Sequence, residues 1–242
     1  MTDSFEFIVL GAGRGGTSLL AGLLDYNEKL VVEYERFTRE YLLGEEIRVD
    51  NAAIFAARVT AFLRACQEAS LSYPGKKYGN KITTEQLYGL EDHNKANPHS
   101  RVDILHTFFN EYAPHLKVVF ILRDGRTCVR SKVMRTGQPV RLACERWLLS
   151  VKVWEFLREH HQRNILIRYE DLLAQPELLL ARISNFLGVG YDAAMLEGTR
   201  NPKMRAEYRQ EGFDLFRLDL EGVPEGCVEL IHDGLIRAGY LG

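Results

Sequence analysis

Short apolar runs alternate along the chain with stretches in which apolar residues recur at helical spacing. The runs are rich in β-branched and aromatic residues, which favour strands, whereas Val59, Phe62 and Cys66 recur three and four positions apart, as on a buried helix face. The pattern predicts strands over residues 5–10, 30–33, 117–122 and 165–169, and helices over residues 17–24, 55–66, 102–112 and 176–187, with a basic helix after residue 122. Strands that alternate with helices predict an α/β fold in three layers, with a mostly parallel central sheet flanked by helices.

One helix-start signal and two polar stretches complete the predicted pattern. Ser100 and Asp103 form a capping pattern at the start of the helix that follows them. Residues 91–101 and 199–212 are polar, lack a regular period and are predicted to be loops. Because no repeat and no Pro/Gly/Ser-rich linker divides the chain, residues 1–242 are expected to form one domain.

Polar residues of several kinds follow the apolar runs. They are Arg14, Glu33, Glu35, Lys81, Arg123 and Tyr169. In a parallel sheet the carboxyl ends of the strands share one edge, and ligands bind along that edge. We therefore expect these side chains to lie near one another.

A glycine-rich segment, residues 11–18, follows the first predicted strand and opens the first helix. Glycines let backbone amides approach an anion and the helix start adds positive potential, so the segment predicts a phosphate or sulfate site. Gly11, Gly13 and Gly16 satisfy GxGxxG, and Glu33 follows the second strand, as in a dinucleotide-binding fold. A nicotinamide- or flavin-dependent oxidoreductase is therefore one interpretation.

The same segment nearly matches the nucleotide-binding P-loop pattern. Thr17 stands where that pattern has a lysine, and Arg14 supplies a cation from inside the loop. A P-loop-like anion site outside the standard NTPases is therefore the second interpretation. A glycine turn needed only for tight packing between strand and helix is the third.

A second cationic segment, residues 123–135, follows a predicted strand. It contains five basic residues and one acidic residue, a net charge of +4 in a chain whose net charge is −2. Arg123 leaves the strand end, and Ser131 and Arg135 fall four positions apart on one helix face, so together they offer donors to a second phosphate. A dinucleotide fold has no general need for such a cluster, although a solvated basic helix face also fits the pattern.

Charge and composition narrow the classes of function. With 31 basic and 33 acidic residues the chain lacks the overall field of a nucleic-acid binder, and its 46% hydrophobic content fits an ordinary globular domain. The longest nearly apolar run, residues 15–24, is too short for a membrane span, and the first residues do not form a signal peptide. His, Cys and Asp residues do not show metal-ligand spacing. We expect a cytoplasmic enzyme or non-catalytic nucleotide-binding module without metal, nucleic-acid partner or membrane span.

The ordered set of motifs resembles the sulfotransferases that use 3'-phosphoadenosine-5'-phosphosulfate (PAPS). A loop containing Arg14 follows the first strand, a later strand ends in Arg-Asp-x-Arg from Arg123, and Ser131 stands eight positions after that arginine. Two further segments similar to the family are residues 167–173 (IRYEDLL) and 185–188 (NFLG). The resemblance spans residues 7–188 and implies a P-loop-like sulfotransferase domain.

The resemblance implies PAPS as the cofactor, 3'-phosphoadenosine-5'-phosphate (PAP) as its product, and a hydroxyl-bearing acceptor. The first loop would hold the 5'-phosphosulfate and the second cationic segment the 3'-phosphate. The implied cofactor-binding residues are Gly13, Arg14, Gly15, Gly16, Thr17, Ser18, Arg123, Ser131, Arg135 and Tyr169. Gly15 replaces a serine of the family loop, so a backbone amide is expected to serve in place of that hydroxyl. Residues 208–212 stand where the family has a segment that closes over the nucleotide.

For catalysis the resemblance, closest to the tyrosylprotein sulfotransferase branch, implies Glu35, Arg14 and Lys81. Glu35 would be the general base for the acceptor hydroxyl, while Arg14 and Lys81 would neutralise charge on the departing phosphate. Glu33 is the alternative base, because strand alternation places it on the same side as Glu35, where two carboxylates would raise one pKa. A histidine before the second cationic segment is a further alternative for the general base. The candidates are His93, His99 and His106.

Overall fold

A five-stranded parallel sheet organises the chain. The computed structural model describes residues 5–45 and 54–242. In chain order the strands are β1 (Phe5–Gly11), β2 (Leu30–Tyr34), β3 (Lys77–Thr83), β4 (Lys117–Leu122) and β5 (Asn164–Arg168). They lie in the order β2-β3-β1-β4-β5, and every neighbouring pair runs parallel. The predicted α/β fold with a parallel sheet is confirmed.

The strand order separates the two interpretations of the glycine-rich loop. In a dinucleotide-binding fold the second strand lies beside the first. Here β3 lies between β1 and β2, and Leu10 of β1 stands opposite Ile82 of β3 and Phe120 of β4. The described strands therefore do not follow the dinucleotide-binding order, and Glu33 on β2 is separated from the loop after β1 by a whole strand.

Helices and short turns connect the strands. The α-helices are α1 (Thr17–Asp25), α2 (Ile54–Ser70), α3 (Thr84–Leu87), α4 (Asp92–Ala96), α5 (Ile104–His106), α6 (Gly125–Thr136), α7 (Val140–His160), α8 (Tyr169–Ala174), α9 (Pro176–Leu187) and α10 (Cys227–Arg237). Short 3-10 or π-type turns span Thr38–Leu42, Tyr88–Glu91, Thr107–Tyr112, Ala193–Arg200, Ala206–Tyr208 and Leu215–Leu218. Among the described residues, no helix combines the length and the apolar character needed to cross a membrane.

Alternate residues of β1 face two different hydrophobic clusters. Ile8 and Leu10 pack in a cluster with residues of α2, α7 and α10, whereas Phe7 and Val9 pack with residues of α1, α8 and α9. All four side chains are fully buried. Because neighbouring strand residues point to opposite faces, a strand covered on both faces appears in the sequence as a continuous apolar run. The three-layer prediction is confirmed.

Three local predictions need correction. Asp103, and not Ser100, begins α5, because the Asp103 carboxylate accepts two backbone N–H groups of the first turn at 3.1 Å. The helix predicted over residues 102–112 is a short α-helix that continues into a π-type turn. Residues 91–101 are not wholly loop, since they contain α4. The Asn94 side chain holds this helix in place by hydrogen bonds of 2.8 and 3.0 Å to the backbone of Val102.

Candidate active site

The carboxyl ends of the strands open into a cleft of about 740 Å³. Parallel strands end at the same edge of a sheet, so the polar residues that follow them converge there. The sequence-predicted residues in the wall of this cleft are Gly13, Arg14, Gly16, Thr17, Ser18, Glu35, Lys81, Arg123, Ser131, Arg135 and Tyr169. Two others, Gly15 and Glu33, lie outside that wall.

The glycine-rich loop turns sharply between β1 and α1. Arg14 and Gly16 have positive φ angles of 71° and 97°. A side chain at Gly16 is also excluded by the ring of Tyr169, which lies 2.3 Å from the position of a Cβ. Because α1 begins at Thr17, the amides of its first turn have no acceptor within the helix. This arrangement is suited to binding an anion.

Two amides of the loop already donate to protein acceptors. The Gly15 N–H donates to the Ala12 carbonyl at 2.8 Å, so this amide is occupied within the loop. The Gly13 N–H donates to both carboxylate oxygens of Glu85, at 3.0 and 3.2 Å. The Gly15 amide itself therefore does not replace the missing serine hydroxyl as a donor, and the expected backbone amide has to come from the start of α1, where the first amides lack an acceptor within the helix.

The loop and the second cationic segment form one cluster. Arg14 Nε donates to Ser131 Oγ at 3.3 Å, and Arg123 Nη1 donates to the Arg14 carbonyl at 3.3 Å. The Arg123 guanidinium lies 4.6 Å from the ring centre of Tyr169. Arg135 lies one turn beyond Ser131 and is exposed in the cleft wall. Arg14 therefore connects the two predicted anion subsites.

Arg123 is nearly fully buried, and several contacts hold it in place. Its Nε donates to Thr127 Oγ1 at 2.9 Å, and Trp147 Nε1 donates to its carbonyl at 2.9 Å. The next residue, Asp124, caps α6 and donates its backbone N–H to Glu170 at 2.9 Å. A guanidinium fixed in this way is oriented in advance for an anion.

Glu35 and Lys81 form an ion pair at the ends of β2 and β3. Lys81 Nζ donates to one oxygen of Glu35, and Gln86 Nε2 donates to the other at 2.8 Å. Burial of Glu35 favours its neutral form, but the charge of Lys81 and the hydrogen bonds from Lys81 and Gln86 outweigh it, so the pKa of Glu35 is lowered. Glu35 is therefore a carboxylate at neutral pH, and 39% of its side chain is exposed. It is able to accept a proton from a bound molecule.

A short backbone turn presents Glu35 to the cleft. Glu35 has a φ of 56°, in the left-handed region, and its N–H donates to the Lys81 carbonyl at 2.7 Å. The buried side chain of Asn80 bonds both backbone groups of Arg36, accepting from N–H at 3.3 Å and donating to the carbonyl at 2.8 Å. Asn80 thus fixes the turn that carries Glu35.

Glu33 does not share the site with Glu35. β2 ends at Tyr34, and the left-handed backbone of Glu35 interrupts the strand alternation on which that prediction rested. Glu33 instead accepts a hydrogen bond from Tyr73 Oη at 2.8 Å and pairs with Arg36 at 3.6 Å. The expectation of a raised pKa from two adjacent carboxylates is wrong, because the nearest charge to Glu35 is the ammonium of Lys81.

The histidine alternatives lie away from the cleft. His93 is buried and its ring accepts the Phe55 N–H at 3.4 Å, while His106 pairs with Glu111 on the surface. His99 is exposed, and all three histidines are outside the cleft wall. Their contacts indicate structural or surface roles. Elsewhere too, the described residues contain no group of three His, Cys, Asp or Glu arranged to hold a metal ion.

Several residues of the cleft wall or its support were not named as site residues from the sequence, although three of them lie in segments that the sequence singled out. They are Thr83, Glu85, Gln86, Lys132, Tyr208 and Gln210. The first three lie at the start of α3, where Thr83 and Gln86 exchange the hydrogen bonds of a capping box. The Thr-x-x-Gln spacing is readable in the sequence, but α3 has only four residues and no periodic pattern.

The segment after Ala193–Arg200 contributes two of these residues. The Tyr208 ring lies 4.6 Å from the guanidinium of Arg14. Both side-chain polar atoms of Gln210 are buried and lack a hydrogen-bond partner among residues 5–45 and 54–242, although Gln210 lines the cleft. Residues 208–212 stand where the family has a segment that closes over the nucleotide, and Tyr208 lies beside the loop.

Comparisons with known proteins agree with this geometry. A sequence model of the sulfotransferase family matches residues 6–193, so the chain belongs to that family and is an enzyme. The search of curated proteins returned no match. The family match replaces the oxidoreductase interpretation of the glycine-rich loop with the sulfotransferase interpretation.

Solved structures share the fold at low sequence identity. The sulfotransferase domain of the olefin synthase from Synechococcus PCC 7002 has a TM-score of 0.68 at 18% identity, with 97% of this chain and 93% of that chain covered. The sulfotransferase domain from the curacin biosynthetic pathway has a TM-score of 0.62 at 15% identity, covering 95% and 97%. Mouse sulfotransferase SULT7A1 complexed with PAP has a TM-score of 0.52 at 13% identity, covering 98% and 89%.

Proposed function

We propose that the chain, acting as one domain over residues 1–242, transfers the sulfuryl group of PAPS to a hydroxyl acceptor in the cytoplasm. The observation that carries this proposal is the connection of two anion subsites through Arg14, which belongs to the loop and contacts Ser131 and Arg123. A nucleotide with anionic groups on both its 3' and 5' sides engages both subsites, whereas a single phosphate chain engages one. The mouse sulfotransferase of similar fold was solved with PAP.

The donor set of the cleft fits PAPS. The amides at the start of α1 and the side chain of Arg14 suit the 5'-phosphosulfate, and Arg123 and Ser131 suit the 3'-phosphate, with Arg135 at the rim. The buried amide of Gln210 offers a donor and an acceptor side by side, the pair that the edge of adenine requires. These features support a 3'-phosphorylated adenine nucleotide as the ligand.

PAPS, when bound, supplies an activated sulfuryl group: a bond forms between its sulfur and the acceptor oxygen while the bond from sulfur to the phosphate oxygen breaks. Glu35 takes the proton of the acceptor hydroxyl, a role that typically contributes about 10²- to 10⁴-fold in rate. Proton uptake neutralises Glu35 and leaves the charge of Lys81 available to the departing phosphate, beside Arg14. The ion pair thus couples proton removal to charge stabilisation.

The assignment of the 3'-phosphate subsite is tested by comparing two ligands. We expect the wild-type chain to bind PAP much more tightly than 5'-AMP, because only PAP reaches Arg123. Arg123→Ala removes a charged hydrogen-bonding group and should weaken PAP binding by about 1.5 to 3 kcal/mol while leaving 5'-AMP binding nearly unchanged. Isothermal titration calorimetry measures both affinities.

Arg141→Ala is the matched control, because Arg141 is exposed on α7 and pairs with Glu145. It should preserve the preference for PAP. Equal affinities of the wild-type chain for PAP and 5'-AMP, or an Arg123→Ala variant that keeps the preference, contradict the assignment. Tight binding of NADH or FAD without binding of PAP would favour an oxidoreductase over a sulfotransferase.

A further inference from the structure

A carboxylate occupies part of the anion-binding loop. Both oxygens of Glu85 accept the Gly13 N–H, at 3.0 and 3.2 Å, and Lys132 of α6 forms an ion pair with the same side chain. The Lys132 side chain is only 3% exposed, so the pair is built into the wall of the cleft. Thr84 Oγ1 donates a further hydrogen bond of 3.3 Å to Glu85.

Glu85 keeps its negative charge in this position. Burial favours the neutral acid, but the charge of Lys132, its hydrogen bond and the Gly13 N–H outweigh burial and lower the pKa of Glu85. One amide of an anion-binding loop is therefore covered by a fixed anion of the protein itself. An incoming anion meets open donors at the start of α1 and, beside Gly13, a carboxylate whose charge is offset in part by its ion pair with Lys132.

The place of α3 defines which part of the ligand meets this charge. Two consecutive residues of α3 bind the two halves of the site, since Glu85 contacts the loop at Gly13 and Gln86 contacts the general base Glu35 at 2.8 Å. Under the proposed function, the group that is transferred is expected to pass between the loop and Glu35. Its expected position is therefore beside α3 and the carboxylate of Glu85.

We propose that Glu85 makes the site selective for a terminal sulfuryl group over a terminal phosphoryl group of the same shape. This inference rests on the proposed function. A sulfuryl group carries one negative charge, whereas a terminal phosphoryl group carries close to two at neutral pH, since its second pKa is about 6. Repulsion from Glu85 acts more strongly on the terminal phosphoryl group than on the sulfuryl group. A site can gain selectivity in this way, by weakening the binding of the competing ligand.

The test compares PAPS with adenosine 3'-phosphate 5'-diphosphate, which has the same shape and a terminal phosphoryl group. Calorimetric Kd values without acceptor give the ratio of the two affinities. We expect the wild-type chain to favour PAPS by roughly ten-fold or more, the size of a charge-pair effect of about 1.4 kcal/mol. Glu85→Gln keeps an acceptor for Gly13 and removes the charge, so the ratio should fall at least roughly five-fold, the equivalent of about 1 kcal/mol.

A matched variant separates the local effect from net charge. Glu221 also lines the cleft, and its backbone carbonyl accepts from Arg130. Glu221→Gln makes the same change in net charge and should leave the ratio of affinities at the wild-type value. A ratio that falls equally in both variants, or in neither, overturns the proposal.

A second experiment uses the wild-type chain alone, so its result does not depend on whether a variant folds. The β-fluoro analogue of adenosine 3'-phosphate 5'-diphosphate has a terminal group with a single negative charge. We expect its Kd to approach that of PAPS, and a Kd that stays at the value of the unfluorinated compound overturns the proposal. Failure of the wild-type chain to bind PAP or PAPS contradicts the proposed function. Equal affinities for PAPS, adenosine 3'-phosphate 5'-diphosphate and its β-fluoro analogue contradict this inference alone.

Discussion

At the scale of single residues, the site depends on how one short turn departs from regular strand geometry. The left-handed backbone of Glu35 and the two hydrogen bonds between Asn80 and the backbone of Arg36 turn the Glu35 carboxylate toward Lys81. Glu33, two residues earlier in β2, contacts Tyr73 instead. The two neighbouring glutamates therefore have different environments, and their substitutions should differ in kind.

We expect Glu35→Gln to lower kcat by at least about 10²-fold, because it keeps the shape of the side chain and removes the proton acceptor. The Kd of PAP should remain nearly unchanged, since PAP binding is assigned to the loop and the second cationic segment. Steady-state kinetics with PAPS and an accepted hydroxyl substrate, together with calorimetry of PAP, measure the two effects separately.

Glu33→Gln is the matched control for that substitution. It removes one carboxylate of β2 that bonds Tyr73 and should cost much less in kcat. An inactive Glu33→Gln variant beside a normally active Glu35→Gln variant would assign the base to Glu33. Normal turnover in both variants would argue against a glutamate base in this chain.

At the scale of elements, the C-terminal helix and the segment after it support Arg123, which belongs to the second proposed anion subsite. α10 packs against α6 and α7, and the segment after it places Tyr240 Oη 2.9 Å from Glu170. The other oxygen of Glu170 accepts the Asp124 N–H at 2.9 Å, directly after Arg123. This support comes from residues beyond the stretch that matches the family model, residues 6–193.

Tyr240→Phe should therefore weaken the 3'-phosphate subsite while leaving the fold intact. It removes one hydrogen bond to Glu170, and a net bond of about 1 kcal/mol predicts a rise of roughly five-fold in the Kd of PAP. The Kd of 5'-AMP should change little, because 5'-AMP lacks the 3'-phosphate. Calorimetry of both ligands and a thermal unfolding curve measure binding and stability.

Tyr191→Phe provides the control, because Tyr191 is partly exposed in the turn after α9. This variant should bind both ligands like the wild-type chain. If Tyr240→Phe weakens PAP and 5'-AMP by the same factor, the residue acts on general stability and not on the position of Arg123.

At the scale of the whole molecule, a slightly acidic chain concentrates its cations at one edge of the sheet. The net charge is −2, yet five arginines and two lysines line the cleft together with the start of α1. The cations in that wall, some of them paired, are Arg14, Lys81, Arg123, Arg130, Lys132, Arg135 and Arg146. With the carboxylates of the same wall, Glu35, Glu85, Asp214, Asp219 and Glu221, the wall keeps a net positive charge, which favours the anionic nucleotide proposed as its ligand.

Because side-chain cations and a helix start carry the positive charge, we expect turnover to continue in excess EDTA. Phosphoryl transfer by kinases behaves differently, since metal ions neutralise the developing charge there. Initial rates with and without EDTA, followed by addition of excess magnesium, decide the question. A complete loss of activity that magnesium restores is the outcome that contradicts this prediction.

Much of this protein is determined by its sequence alone, because the signals are local. Apolar runs and helical spacing predicted four of the five strands and the three-layer fold, and most of the site residues that the loop and strand-end motifs predicted lie in the cleft wall. These features depend on residues close together in the chain. Their periodicity and glycine content are therefore readable without a structure.

The tertiary structure alone decided how these parts meet. The order of β1, β2 and β3 excluded the dinucleotide topology, and the placement of α3 brought Glu85 onto the loop and Gln86 onto Glu35. The contact between Gly13 and Glu85 joins residues 72 positions apart, and that between Arg14 and Ser131 joins residues 117 apart. Sequence periodicity carries no information at such separations, because strand order and helix packing, not neighbouring residues, set which distant side chains come within hydrogen-bond distance.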